Sequence, residues 1–68
     1  MASSIRIASD HGTVSGTVER VVLSCDGVAR ELWVSAGGRT KRVPIGAVGG
    51  VGGDRVLDAR AFEAAPTL

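Results

Sequence analysis

A single cysteine, Cys25, has no partner for an intrachain disulfide, and with His11 as the only histidine no Cys/His spacing exists for a structural zinc site. No cofactor is implied. The only aromatic residues are Trp33 and Phe62, too few for the several stacked rings with which single-strand nucleic-acid binders hold bases. No apolar run approaches the ~20 residues of a membrane-spanning helix, and the opening Met-Ala-Ser-Ser shows neither the basic nor the apolar segment of a signal peptide. The expectation is a cytoplasmic chain with no membrane insertion. Neither charge sign dominates: eight basic and seven acidic side chains leave a net charge of +1, so charge alone points to neither nucleic acid nor membrane.

What is present is ordinary for a globular chain, with 44% apolar and 22% charged residues among 68, which excludes a disordered segment and a second domain. A chain this short buries only roughly 60% of its unfolded surface. Its stability must come from packing or from a partner copy.

Apolar residues do not recur at helical spacing until the last few positions. Short β-branched runs are instead punctuated by glycine-bearing turns, the pattern of strands. Ile5 to Ser9 is a first strand, closed by a turn at Asp10-His11-Gly12. Val14 to Ser24 follows, with Val14, Gly16, Val18, Arg20 and Val22 on one face and Val21 and Leu23 on the other, so its distal half is expected to be covered on both faces. Cys25-Asp26-Gly27 is a hairpin signal between two β-rich runs. The third strand, Val28 to Ser35, sends Val28, Leu32 and Val34 inward and puts Glu31 and Trp33 on the opposite face. Arg30 conflicts with the inward set, a conflict that a bulge resolves.

After the turn Ala36-Gly37-Gly38-Arg39, a short fourth strand runs from Lys41 to Ile45. Pro44 cannot donate to a ladder and belongs at its edge or end. Gly46 to Val48 makes a tight turn, and the stretch Gly49 to Asp54 is too rich in glycine for a good helix or strand. Arg55 to Asp58 forms a fifth strand, and Ala59 to Ala65, ahead of Pro66, a helical turn that packs Phe62 onto one end. The fold class that follows is all-β: one domain over residues 1–68, a small antiparallel barrel of five or six short strands with a short C-terminal helical turn.

Three segments resemble the PRC-barrel family, the small β-barrel found in the cytoplasmic part of the photosynthetic reaction centre H subunit and in the ribosome maturation factor family. Gly16-Thr17-Val18 with Glu19-Arg20-Val21-Val22-Leu23 is similar to the family's Gly-x-Val opening of a long strand, and Gly27 to Val34 to its hairpin return. Arg42-Val43-Pro44-Ile45-Gly46-Ala47-Val48, with Gly53-Asp54-Arg55-Val56-Leu57-Asp58-Ala59 behind it, is similar to the family's Val-Pro segment and final Gly-Asp-x-Val strand. The resemblance covers positions 12 to 66; Gly49 to Gly53 departs from it by excess glycine, and a small barrel of SH3-like topology is the other candidate. Membership implies no catalysis. It implies a docking or assembly module, often dimeric when it stands alone or else part of a larger protein complex, and carries over no contact residues.

Among residues with chemistry, Asp10, His11 and Cys25 are the only source of a nucleophile and base. A turn Asp, a solvated His and a half-buried thiol describe them more simply. The glycine run fails the dinucleotide fingerprint, since Arg55 stands at the third-glycine position after Gly50 and Gly52. Two interaction surfaces remain. For a self-associating module, a dimer in the favoured case, the candidate contacts are Trp33, Leu32, Val34 and Val43. For a small nucleic-acid-binding barrel, they are Arg39, Lys41 and Arg42 around one turn, with Trp33 beside them.

Overall fold

Residues 3–50 and 55–68 are described by the computed structural model. They form β1 (Ser3–Ser9), β2 (Gly12–Leu23), β3 (Ala29–Ala36), β4 (Arg39–Pro44), a 3-10 turn at Ile45–Ala47, β5 (Val48–Gly49), β6 (Val56–Asp58) and α1 (Ala59–Ala64). The strands make one curled sheet, a half-barrel, in the order β4-β3-β2-β1-β6-β5. The all-β class and the short C-terminal helix therefore hold. The sheet, however, is mixed. β6 runs parallel to β1, which sets Leu57 beside Ile7, both buried, and a strand running the other way would not continue this register. The remaining pairings are antiparallel. Residues 51–54 of the glycine-rich stretch, and with them Gly53-Asp54, lie outside the described residues.

Turn chemistry sets the first-order layout. Gly37 and Gly38 both adopt positive φ (60° and 77°) in the two-residue connection between β3 and β4. That is the conformation of a type I′ hairpin, which matches strand twist and which other residues adopt only with strain. Gly16 serves a different purpose: a Cβ there would lie 3.0 Å from Ile7 Cδ1, 3.2 Å from Ser35 O and 3.3 Å from Val34 Cγ1. Its bare backbone lets β2 approach the core side chains of β1 and β3.

Two register shifts decide which side chains face inward. Val18 lies opposite Val34 but Arg20 opposite Trp33, so Glu19 is an extra residue in β2. Strict alternation would place Arg20 and Val22 beside Val18 on the core face. The extra residue reverses this: Val21 joins the row of Leu32 and Val43, and Arg20 joins Trp33 and Arg42 on the outer face. Farther along, Val22 lies opposite Glu31 and Leu23 opposite Ala29, leaving Arg30 as the extra residue of β3, exposed. The bulge expected for Arg30 is present, and a second, unexpected one precedes it.

The core comprises Ile5, Ile7, Val18, Leu32, Val34, Val43, Leu57, Phe62 and Ala65. At roughly 1.5–3 kcal/mol for each fully buried large aliphatic or Phe side chain, eight such residues provide the gross driving force, which conformational entropy largely offsets. α1 begins at Asp58, whose side chain accepts from the Arg60 N–H as an N-cap, and buries Phe62. Pro44 ends β4, as its missing donor requires.

Candidate functional site

The outer face of β2–β4 carries the half-buried Trp33 at the centre of a polar cluster. The Arg20 guanidinium sits 5.0 Å from its ring centroid, and the indole Nε1–H donates to Glu31 Oε2 at 3.0 Å. Arg42 Nε donates to the same oxygen at 3.3 Å. The Trp33 indole N–H first, and Arg42 second, hold the Glu31 carboxyl below the usual carboxylate range. Trp33 is thus neither a core residue nor a free anchor. It is a rigid outer-face platform with one edge tied to Glu31 and one face covered by arginine.

The other three side chains expected to meet a partner do not reach the surface. Leu32, Val34 and Val43 are 1%, 0% and 0% exposed, and in this fold they pack against the chain's own core. That corrects their assignment as contacts: they belong to the face that the curl of the sheet encloses. Apolar surface is offered instead by Val21, Leu23, Val28 and Ile45, which are between 38% and 58% exposed. All four lie at the end of the sheet where β2 joins β3. Val21 and Leu23 continue the inner face past the core, Val28 precedes β3, and Ile45 follows Pro44, itself opposite Glu31. Period-two reading put Val21 and Leu23 on a covered face, and the only signal against it was the run Val21-Val22-Leu23 abutting a turn.

The basic residues around the β3–β4 turn are already committed within the chain. Arg39 forms a bidentate pair with Glu63 (2.9 and 2.6 Å), and its guanidinium lies 5.6 Å from the Phe62 ring centroid. Hydrogen bonding to Arg39 depresses the Glu63 carboxyl below its ordinary range. Lys41, a candidate nucleic-acid contact from its place beside the turn, is only 5% exposed, and its ammonium donates to Glu63 O at 3.2 Å and Ala65 O at 3.1 Å. The lysine therefore caps the C-terminal end of α1. It faces inward because it lies opposite Val34, one residue off the outward Arg42. Of the three, only Arg42 presents its charge on the outer sheet face.

His11 lies in the β1–β2 turn and Cys25 in the β2–β3 turn, at opposite ends of the twelve-residue β2, which at about 3.3 Å per residue is roughly 40 Å of extended chain. They do not form a nucleophile–base pair. Cys25 is exposed rather than half-buried, in a turn where Ser24 Oγ lies against Asp26 Oδ1 and holds that carboxyl below its usual range. Among the described residues, no helix is long and apolar enough to cross a membrane. No protein-family model, no curated protein and no solved structure matches the chain.

Proposed function

We propose that the chain is a non-catalytic protein-interaction module of the PRC-barrel type that self-associates, a dimer in the simplest case, and works in the cytoplasm. The observation that carries this reading is the aliphatic end of the half-barrel. Val21, Leu23, Val28 and Ile45 are exposed together where the inner sheet face runs out beyond the core. With nine side chains in the core among the described residues, four large apolar residues left at one end are surface that a second copy can bury. The PRC-barrel resemblance of residues 12 to 66 accords with an assembly role, and the exposed, unpaired Cys25 thiol suits a reducing compartment. Trp33, with Arg20 over its ring, supplies the residue types enriched at interface centres and is the second contact area.

Light-scattering mass over a concentration series tests the reading. A mass that rises with concentration in the natural chain and stays monomeric in Leu23→Asp supports it. A folded monomer at high micromolar concentration refutes it.

A further inference from the structure

A strand edge with unpaired N–H and C=O groups is a template for another chain, and this fold covers one such edge itself. Along β4, Arg42 N donates to Pro66 O at 2.9 Å, Leu68 N donates to Thr40 O at 2.9 Å, and Thr67 lies antiparallel to Lys41, so residues 66–68 cover that edge. At the other end of the sheet β5 is only two residues long. A stretch of edge within the sheet is left open. The pairing of β1 with β2 ends at Ser3 opposite Val18, whereas β2 runs on to Leu23, and among the described residues its last positions pair only with β3.

Ser24 N donates to Val28 O at 2.8 Å, which directs it toward the returning chain. Alternation gives Val22 the same direction and turns the N–H and C=O of Val21 and Leu23 to the open side. The side chains of the same two residues are 42% and 58% exposed on the inner face. A second copy complements both features. Antiparallel pairing about a twofold axis at Val22 sets Val21 against Leu23 of the second copy and Leu23 against its Val21, each pair exchanging both main-chain bonds and joining aliphatic side chains on one face. On the outer face this register puts Arg20 opposite Ser24 of the second copy. The Asp26 carboxylate lies against Ser24 Oγ and so comes to the Arg20 guanidinium. Arg20 is stacked over Trp33, but neither Arg20 nor Asp26 has an ion-pair partner among the described residues.

We propose that two copies of the chain join edge to edge through Val21 to Leu23 of β2, forming one continuous sheet across a twofold axis, with Arg20 of each copy paired to Asp26 of the other. The proposal rests on the self-association reading and gives it a geometry: apolar contact alone tolerates many orientations, whereas a paired edge fixes one. Because the axis stands perpendicular to the sheet, the outer faces of both copies, with their Trp33 platforms, lie on the same side of the assembly.

Sedimentation equilibrium of the full chain and three altered forms is the experiment. A chemically synthesised chain N-methylated at Leu23 keeps the aliphatic side chain and lacks only the edge donor; its dimer is expected to be about ten-fold weaker. Arg20→Asp and Asp26→Arg are each expected to weaken the dimer about ten-fold alone, by setting like charges together at both ends of the paired segment. An equimolar mixture of these two variants regains the natural affinity, since every mixed dimer has both opposite-charge pairs, and this rescue is independent of how the N-methylated chain folds. Natural-chain association that N-methylation leaves unchanged, or a mixture no tighter than either variant alone, overturns the proposal while the self-association reading stands. A natural chain that remains monomeric overturns both.

Discussion

Replacing Lys41 by methionine keeps most of the side chain's volume while removing the ammonium that joins β4 to the end of α1. Two bonds are lost, to Glu63 O and Ala65 O, the latter a buried contact. Hydrogen bonds from charged donors contribute about 1.5–3 kcal/mol each, so the gross loss is about 3–6 kcal/mol. Against this, methionine no longer carries a charge out of water, which offsets part of the loss. Taking the offset as about half or more leaves a net destabilisation of about 2 kcal/mol. For a domain of this size that lowers Tm by about 8–16 °C. Circular dichroism melts and urea titrations measure it, with the urea slope unchanged. Hydrogen exchange should show the Arg42 and Leu68 amides losing protection first, because both lie in the pairing that the lysine supports. Lys41 is also the chain's only lysine, so ε-amine acylation in the natural protein should be slow until denaturant opens this region. A loss below about 0.5 kcal/mol, or a gain, would refute the reasoning: burying the ammonium would then cost as much as its bonds contribute.

Gly16→Ala should destabilise by about 1–3 kcal/mol through crowding of Ile7, Ser35 and Val34, and a melting temperature equal to or above that of the natural chain would show that the strand spacing yields. Leu32→Ala should cost about 2–5 kcal/mol, while Leu23→Asp should change monomer stability by no more than about 0.5 kcal/mol, a contrast that urea titration below the association range checks. Glu31 and Glu63 have depressed folded-state pKa values, so the stability they confer is present above their unfolded values and is lost as pH falls through the folded ones. The urea midpoint should therefore decline from about pH 5 downward, and less steeply in Glu63→Gln; an unchanged slope in that variant would disprove the Arg39–Glu63 contribution.

The strands were legible because their signals are local. Asp10-His11-Gly12, Cys25-Asp26-Gly27 and Gly37-Gly38 mark turns by their own backbone preferences, and β1–β4 and β6 begin and end within two residues of the expected limits, whereas β5 (Val48–Gly49) stands where a tight turn and a glycine-rich stretch were expected. Arg30 announced a bulge because a charge stood in an inward series. Glu19 announced nothing: Val18, Arg20 and Val22 alternate as plausibly as Val21 and Leu23 do, and only pairing with β3 shows which set faces the core. From that one extra residue come the Arg20–Trp33 stack and the exposed aliphatic end.

The site residues divide on the same line. Alternation along β3 puts Trp33 on the Glu31 face, where the structure has it, with its indole N–H tied to Glu31. Leu32, Val34 and Val43 were identified as apolar strand residues, but whether such residues form a core or an interface depends on the curl of the whole sheet, which no local pattern encodes. By sequence Lys41 is one of three basic residues around a single turn, with nothing to set it apart from Arg39 and Arg42. Its burial depends on the end of α1 and the residue that follows it, whose carbonyls at Glu63 and Ala65 lie 22 and 24 residues farther along the chain.

By itself, then, the sequence determined the all-β class, the main turns, five of the six strands and the short final helix, because backbone preference and side-chain alternation act within a few residues. Only the tertiary structure decided the parallel placement of β6, the inward lysine, the covered β4 edge and the exposed aliphatic end. Those depend on contacts between residues far apart in the chain, where burial and pairing outweigh local preference.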